Sequence, residues 1–137
     1  MPALTKDRPT AERDGRQVSD PLAAAAQIYA GGMYLLDAAG NALPAAPQAA
    51  ATAWVVRAVA EQRASASAGD ARVAGARGVF CFDSAAAGDA LTRADIGATC
   101  YALDDCTVAK GSDTNKRPKA GTVLDVDERG VWVRIGA

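Results

Sequence analysis

The chain has 137 residues, with 15 Lys plus Arg against 16 Asp plus Glu and no histidine. That length predicts one domain able to bury roughly two thirds of its unfolded surface. The missing histidine excludes a Ser-His-Asp triad, a Cys-His dyad and any imidazole metal ligand.

A net charge of −1 gives no basic balance, so nucleic acid is not an expected partner. Half the residues are hydrophobic, but 34 are alanine, which leaves few large core formers besides Trp54 and Trp132. A core so thinly supplied gains from burying surface against a partner.

Residues 1–20, MPALTKDRPTAERDGRQVSD, alternate in charge, carry Pro2 and Pro9 and hold no run able to form a buried face. They are expected to be disordered or extended alone, either as a frayed terminus or as an arm that orders against a neighbouring subunit. Their charges exclude a secretory signal. The apolar stretch from Pro21 to Leu36, interrupted by Gln27, Gly31 and Gly32, is too short and broken for a membrane span. A soluble, unexported protein with no membrane partner is expected.

From Pro21 onward, the body (residues 21–137) alternates short runs of β-formers with turn signals. Ala23–Ala26 follows a proline and meets two glycines soon after, so it is expected to be extended or a single turn. Gln27 to Tyr29 and Met33 to Leu36 are strands, with a turn at Asp37 to Asn41 and an Ala/Pro-rich loop over Pro44–Thr52. Trp54 to Ala60 is a strand, and Glu61–Asp70 a small polar loop.

Arg72 to Phe82 is extended, with Gly75 and Gly78 at bulges or close backbone approaches. There Val79 and Cys81 share one face, Phe80 and Phe82 the other. Ser84–Ala90 is a linker. Thr92 and Asp95 have capping-box spacing with Gly97 as the stop, enough for one helical turn.

Thr99–Leu103 and Cys106–Ala109 flank a turn at Asp104-Asp105. Residues 110–119 form a loop carrying Lys110, Lys116, Arg117 and Lys119. In the last hairpin Thr122, Leu124 and Val126 share a face, Asp127 to Gly130 turn, and Val131, Val133 and Ile135 face away from Trp132 and Arg134. Short strands with frequent turns and no long amphipathic helix predict a mostly β fold: a small barrel or sandwich with one short helical turn and an extended N-terminal arm.

Chemistry is sparse. Cys81, Cys100 and Cys106 are odd in number and lack CxxC spacing, so they are expected to be reduced and mostly buried. The pair Asp104-Asp105 and the group Asp125, Asp127 and Glu128 suit turn and backbone roles better than a carboxylate dyad or a calcium site. The glycines match no Walker or GxGxxG loop. The basic loop suits a solvated tip or a contact with phosphate or an acidic protein face. No catalytic residue, cofactor or metal is expected.

Five strings in order, TKDRPTAERDG, AAAAQIYAGGMYLLDAAGNALPA, VVRAVAEQR, GDALTRADIGATCYALDDCTVA and AGTVLDVDERGVWVRI, resemble the capsid cement (head decoration) proteins of tailed bacteriophages and Mu-like prophages. The similarity spans nearly all of residues 5–135, departing at Pro9, where a polar residue such as Asn is expected. It implies a β-rich body, often trimeric, on the outer surface of the icosahedral head. There it would clamp neighbouring major capsid proteins against DNA pressure, after synthesis in the bacterial host cytoplasm.

On that reading the partners are the major capsid protein and further copies of the chain, and the arm meets the capsid through Leu4, Lys6, Arg8, Arg13 and Arg16. Trp54, Phe80, Phe82 and Trp132 pack the core or an intersubunit contact. Another phage β-domain of the tail or baseplate is the alternative, and a small-ligand module a further one.

Overall fold

The computed structural model describes residues 3–11, 13, 15–48 and 54–136. In chain order the strands are β1 (Gln17–Pro21), β2 (Gln27–Ile28), β3 (Met33–Leu36), β4 (Ala42–Pro44), β5 (Val56–Ala60), β6 (Ala64–Ser65), β7 (Arg72–Ala76), β8 (Gly78–Ser84), β9 (Thr99–Ala102), β10 (Thr107–Ala109), β11 (Lys119–Asp127) and β12 (Gly130–Ile135). Single 3-10 turns stand at Ala66–Ala68, Ala87–Asp89 and Arg93–Asp95, where the sequence reading expected one helical turn. Among the described residues no helix is long and apolar enough to cross a membrane.

The fold is mostly β, built on a closed barrel ordered β10-β8-β12-β11-β9. Its ladders are antiparallel except β8 with β10, which is parallel. A second, five-stranded sheet, β1-β7-β5-β3-β4, lies against it, and β2 pairs with β6 in a small ribbon.

One core fills the barrel with Phe82, Cys100, Val108, Val123, Val131, Val133 and Ile135 and extends to Met33, Val56 and Val59 of the sheet. A second core, Ile28, Tyr34, Ala42, Ala58, Ala60, Ala64 and Val73, covers the sheet's other face. Alanine is prominent in this second core, where Tyr34 is the largest member. The chain's many alanines thus serve a sheet that is buried on both sides.

Two bulges decide which side chains face inward. The register between β3 and β5 shifts at Tyr34/Leu35, leaving Arg57 unpaired, so that Val56 and Val59 reach the same core. In β11 the register shifts between Val123 and Asp125. The expected face of Thr122, Leu124 and Val126 is therefore corrected: the extra residue turns Val123 and Val126 toward the core and leaves Leu124 exposed. On β12, Val131, Val133 and Ile135 are buried, each worth about 1.5–3 kcal/mol of apolar burial. At the hairpin turn Gly130 takes φ 141°, and Asp127 Oδ1 accepts the Arg129 N–H at 2.9 Å.

Other boundaries move as well. β1 begins at Gln17, inside the segment assigned to the arm, and pairs with β7 from Gln17↔Ala76 to Pro21↔Arg72. The segment outside the sheet therefore ends at residue 16 rather than 20. Within the expected loop Glu61–Asp70, Ala64 is buried and β6 pairs with β2. The Ser84–Ala90 linker is pinned by the Leu91 N–H donating to Ser84 Oγ at 2.9 Å. Ala23–Ala26 forms a turn. Of the loop expected over Pro44–Thr52, residues 49–52 lie outside the described residues.

Candidate functional site

Among the described residues, those from Ala3 to Arg13 are the least engaged with the body. Residues 3–11, 13 and 15–16 join no strand, and Leu4, Lys6, Arg8, Arg13 and Arg16 are all exposed. Leu4, at 73%, is the most exposed large hydrophobic residue described. Proline and alternating charge account for this, since neither supplies a face to bury nor a run of ladder donors.

The root of the arm, by contrast, is firmly held. The Arg77 N–H donates to the Arg16 carbonyl at 2.7 Å, and Arg77 Nε to the Gly15 carbonyl at 2.8 Å. One step on, the Asp20 carboxylate is 6% exposed and accepts Tyr34 Oη–H at 2.9 Å and Arg57 Nε and Nη2 at 3.2 Å each. Burial first, and then the bond to Asp20, push the Tyr34 phenol well above its ordinary range.

β1 is an edge strand with a guarded edge. The bonds Arg77 N–H to Arg16 and Leu22 N–H to Ala71 bracket its ladder, so Gln17, Ser19 and Pro21 turn their backbone groups outward. Pro21 has no N–H, and Arg72 wraps over Ser19, donating to its Oγ at 2.9 Å and its carbonyl at 2.8 Å. Both devices discourage strand addition there.

Two hollows flank the root. A cleft of about 490 Å³ is lined by Val59, Ala60, Ala76, Phe80 and Phe82, with Arg16 and Glu61 among its polar residues. A groove of about 280 Å³ lies among Leu36, Val55, Val56, Arg57, Arg77 and Gly136.

The aromatic candidates separate. Phe82 sits in the barrel core and Phe80 packs against it. Trp132 stands on the outer face, half-buried, donating Nε1–H to Asp127 Oδ2 at 3.0 Å under the Arg129 guanidinium, 5.6 Å from the ring centroid. Trp54 is half-buried at the seam of sheet and barrel, where its carbonyl accepts the Lys119 N–H at 3.0 Å. Its buried Nε1 has no hydrogen-bond partner among the described residues.

The remaining charged clusters serve the fold. Lys110 pairs with Asp95 at 3.5 Å and Arg117 with Asp89 at 3.2 Å, while Lys116 and Lys119, also exposed, stand outside these two pairs. Arg93 pairs with Asp125 at 2.8 Å, and that bond holds the Asp125 carboxyl below the usual range. Asp104 Oδ1 accepts the Cys106 N–H at 2.9 Å. Burial works to raise the Asp104 carboxyl, but this bond and those with Thr107 outweigh it and lower it.

Donor atoms of Asp104, Asp105 and Cys106 lie within 4.8 Å of one another, an arrangement the turn itself explains. The cysteines are free thiols, but the expectation that they are mostly buried is corrected. Cys100 is buried, Cys81 half-buried and Cys106 exposed, because Cys106 sits in the turn rather than on an inward strand position.

No protein-family model, curated protein or solved structure matches the chain. What the geometry offers is binding: a charged arm anchored at one end, with an apolar cleft and a groove at its root.

Proposed function

We propose that this protein is a capsid cement protein. It binds the outer surface of an icosahedral phage head and clamps neighbouring major capsid proteins against the pressure of packaged DNA. The observation that carries the reading is the arm, whose exposed Leu4, Lys6, Arg8 and Arg13 leave the body free to fold without them. Such a segment orders on a partner and adds contacts there at little cost to the body.

The resemblance of five ordered strings to cement proteins supports the same reading. So does the thin core, which favours association with further copies, a homotrimer in this reading. Near-neutral charge suits a surface facing solvent outside the head. Many weak contacts repeated around a shell supply avidity without a single strong one.

The test is copy number in gradient-purified particles, by quantitative mass spectrometry. A ratio to the major capsid protein near one, or a fixed large fraction of it, is the expected result. A handful of copies per particle would assign the chain to tail or baseplate instead, and absence from particles would overturn a virion role.

A further inference from the structure

We propose that in the free protein the apolar cleft beside the arm root receives Leu4 of a second copy, so that two chains exchange arms before any shell is present. The cleft, about 490 Å³, is walled by Val59, Ala60, Ala76, Phe80 and Phe82. That is the size and character of a site that takes an apolar group. The arm carries a matching apolar residue left outside, since Leu4 is 73% exposed.

The charges agree with the apolar fit. Arg16 and Glu61 give the cleft one charge of each sign, and Lys6 and Asp7 follow directly after Leu4-Thr5 on the arm. With Leu4 seated, Lys6 is within side-chain reach of Glu61. Exposed pairs of this kind select a partner and a direction more than they add affinity.

A second copy fits the geometry better than the chain's own arm. In the single chain Leu4 stays out of the cleft. Twelve steps of chain join Arg16, beside the cleft, to Leu4, a reach of up to roughly 40 Å when extended. The body has a radius of gyration of only about 14 Å. Pro9 keeps Arg8 away from helical angles and favours such an extended path. A chain's own Leu4 would have to double back through that segment, whereas an extended arm has the length to reach the cleft of a second copy. In the free protein a reciprocal pair of such contacts is closed and two-fold, an assembly apart from the homotrimer read for the shell.

The exchange shares Leu4 with the shell-binding reading but requires no shell, so its failure leaves that reading standing. On a capsid the same arm would leave the neighbouring copy for the shell.

The experiment is disulfide trapping in the full-length chain with Leu4 and Glu61 left in place and Cys106→Ser throughout. Thr5→Cys protein, which also carries Cys81→Ser, is mixed with size-tagged protein that keeps Cys81 in the lining of the cleft. Mild oxidation and non-reducing electrophoresis then report the mixed disulfide. Exchange is expected to form it at a rate that rises with concentration and that falls at least tenfold when Leu4→Ala is added to the Thr5→Cys protein. A rate unchanged by Leu4→Ala would overturn the proposal. So would a Thr5→Cys protein that keeps Cys81 and closes its disulfide within one chain, since the arm would then occupy its own cleft.

Discussion

The Tyr34 hydroxyl donates to the Asp20 carboxylate at 2.9 Å, joining an inner strand of the second sheet to the edge strand from which the arm departs. Arg57, freed from the β5 ladder by a bulge, closes the other side of the same carboxylate through two nitrogens. Replacing Asp20 by Ala leaves a buried hydroxyl and a guanidinium without their acceptor. Because the Arg57 side chain is 31% exposed, water recovers part of its charge. The expected loss is therefore about 2–3 kcal/mol, below the figure for a fully buried broken pair, with Tyr34→Phe costing about 1 kcal/mol. Urea denaturation of the two variants checks both values. An Asp20→Ala protein as stable as the parent would show that the carboxylate holds nothing.

Gly75 makes that contact possible. A Cβ there would run into the Tyr34 hydroxyl and lie 2.8 Å from Tyr34 Cε2 and 2.9 Å from Ala58 Cβ. Gly75→Ala is expected to cost about 2–3 kcal/mol by forcing the ring off its partner. The double variant with Asp20→Ala should lose clearly less than the sum of the two, since both break one contact. Strict additivity in a double-mutant cycle would mean that the methyl acts elsewhere.

Local chemistry makes much of this fold legible in the sequence. The turn at Gly130, the Thr92–Asp95 box, the Asp104-Asp105 hairpin and the inward faces of Phe80, Phe82, Val131, Val133 and Ile135 each follow from spacing within about ten residues. What escaped is non-local. A bulge cannot be read from alternation, so the inward turn of Val126 and the release of Arg57 were hidden. The partners of Asp20 lie 14 and 37 residues away, and without them Gln17–Pro21 reads as more polar arm. Barrel closure depends on β8 meeting β10 in parallel, a pairing across an intervening turn and strand that local spacing does not announce. The arm was visible from composition alone, whereas the cleft at its root draws on β5, β7 and β8 together.

Asp95 couples stability to acid. Its carboxylate accepts the Thr92 N–H at 2.8 Å and faces Lys110, and these hold its pKa below the ordinary value against the opposing effect of burial. A depressed carboxyl stabilises the fold above its unfolded pKa and loses that contribution as pH falls through the folded one. The melting temperature of the parent should exceed that of Asp95→Ala near neutrality, and the gap should close as pH drops below about 4. A gap unchanged at acid pH would show that the charge on Asp95 does not matter to the turn.

The three thiols should alkylate in order of exposure. Burial pushes Cys100 up to about 11 and seals it in the barrel core. Burial, then the Asp127 carboxylate, raises Cys81. At Cys106 a bond with the Thr107 hydroxyl works downward, but burial and the carboxylates of Asp104 and Asp105 outweigh it. Iodoacetamide at about pH 8, where the thiolates are minor species, should label Cys106 first, Cys81 more slowly and Cys100 only after denaturation. Peptide mass spectrometry reads the order, and native labelling of Cys100 at the rate of Cys106 would contradict the closed barrel.

Two truncations locate the boundary between arm and body. Removing residues 1–16 takes away the carbonyls held by Arg77, which sit at the surface, and leaves β1 in its ladder. The stability of that protein should match the parent within about 0.5 kcal/mol. Removing residues 1–21 strips β1 from β7 and uncovers the second core, where Val18 packs. It also deletes the acceptor shared by Tyr34 and Arg57. The loss should reach about 4 kcal/mol, a large fraction of the about 5–15 kcal/mol that holds a domain folded. Urea melts of the two would separate them by a wide margin. Equal midpoints would mean that β1 belongs to the arm after all. Only the shorter deletion therefore tests shell binding cleanly: a folded protein lacking residues 1–16 that still coats capsids at parental occupancy would remove the arm from the interface.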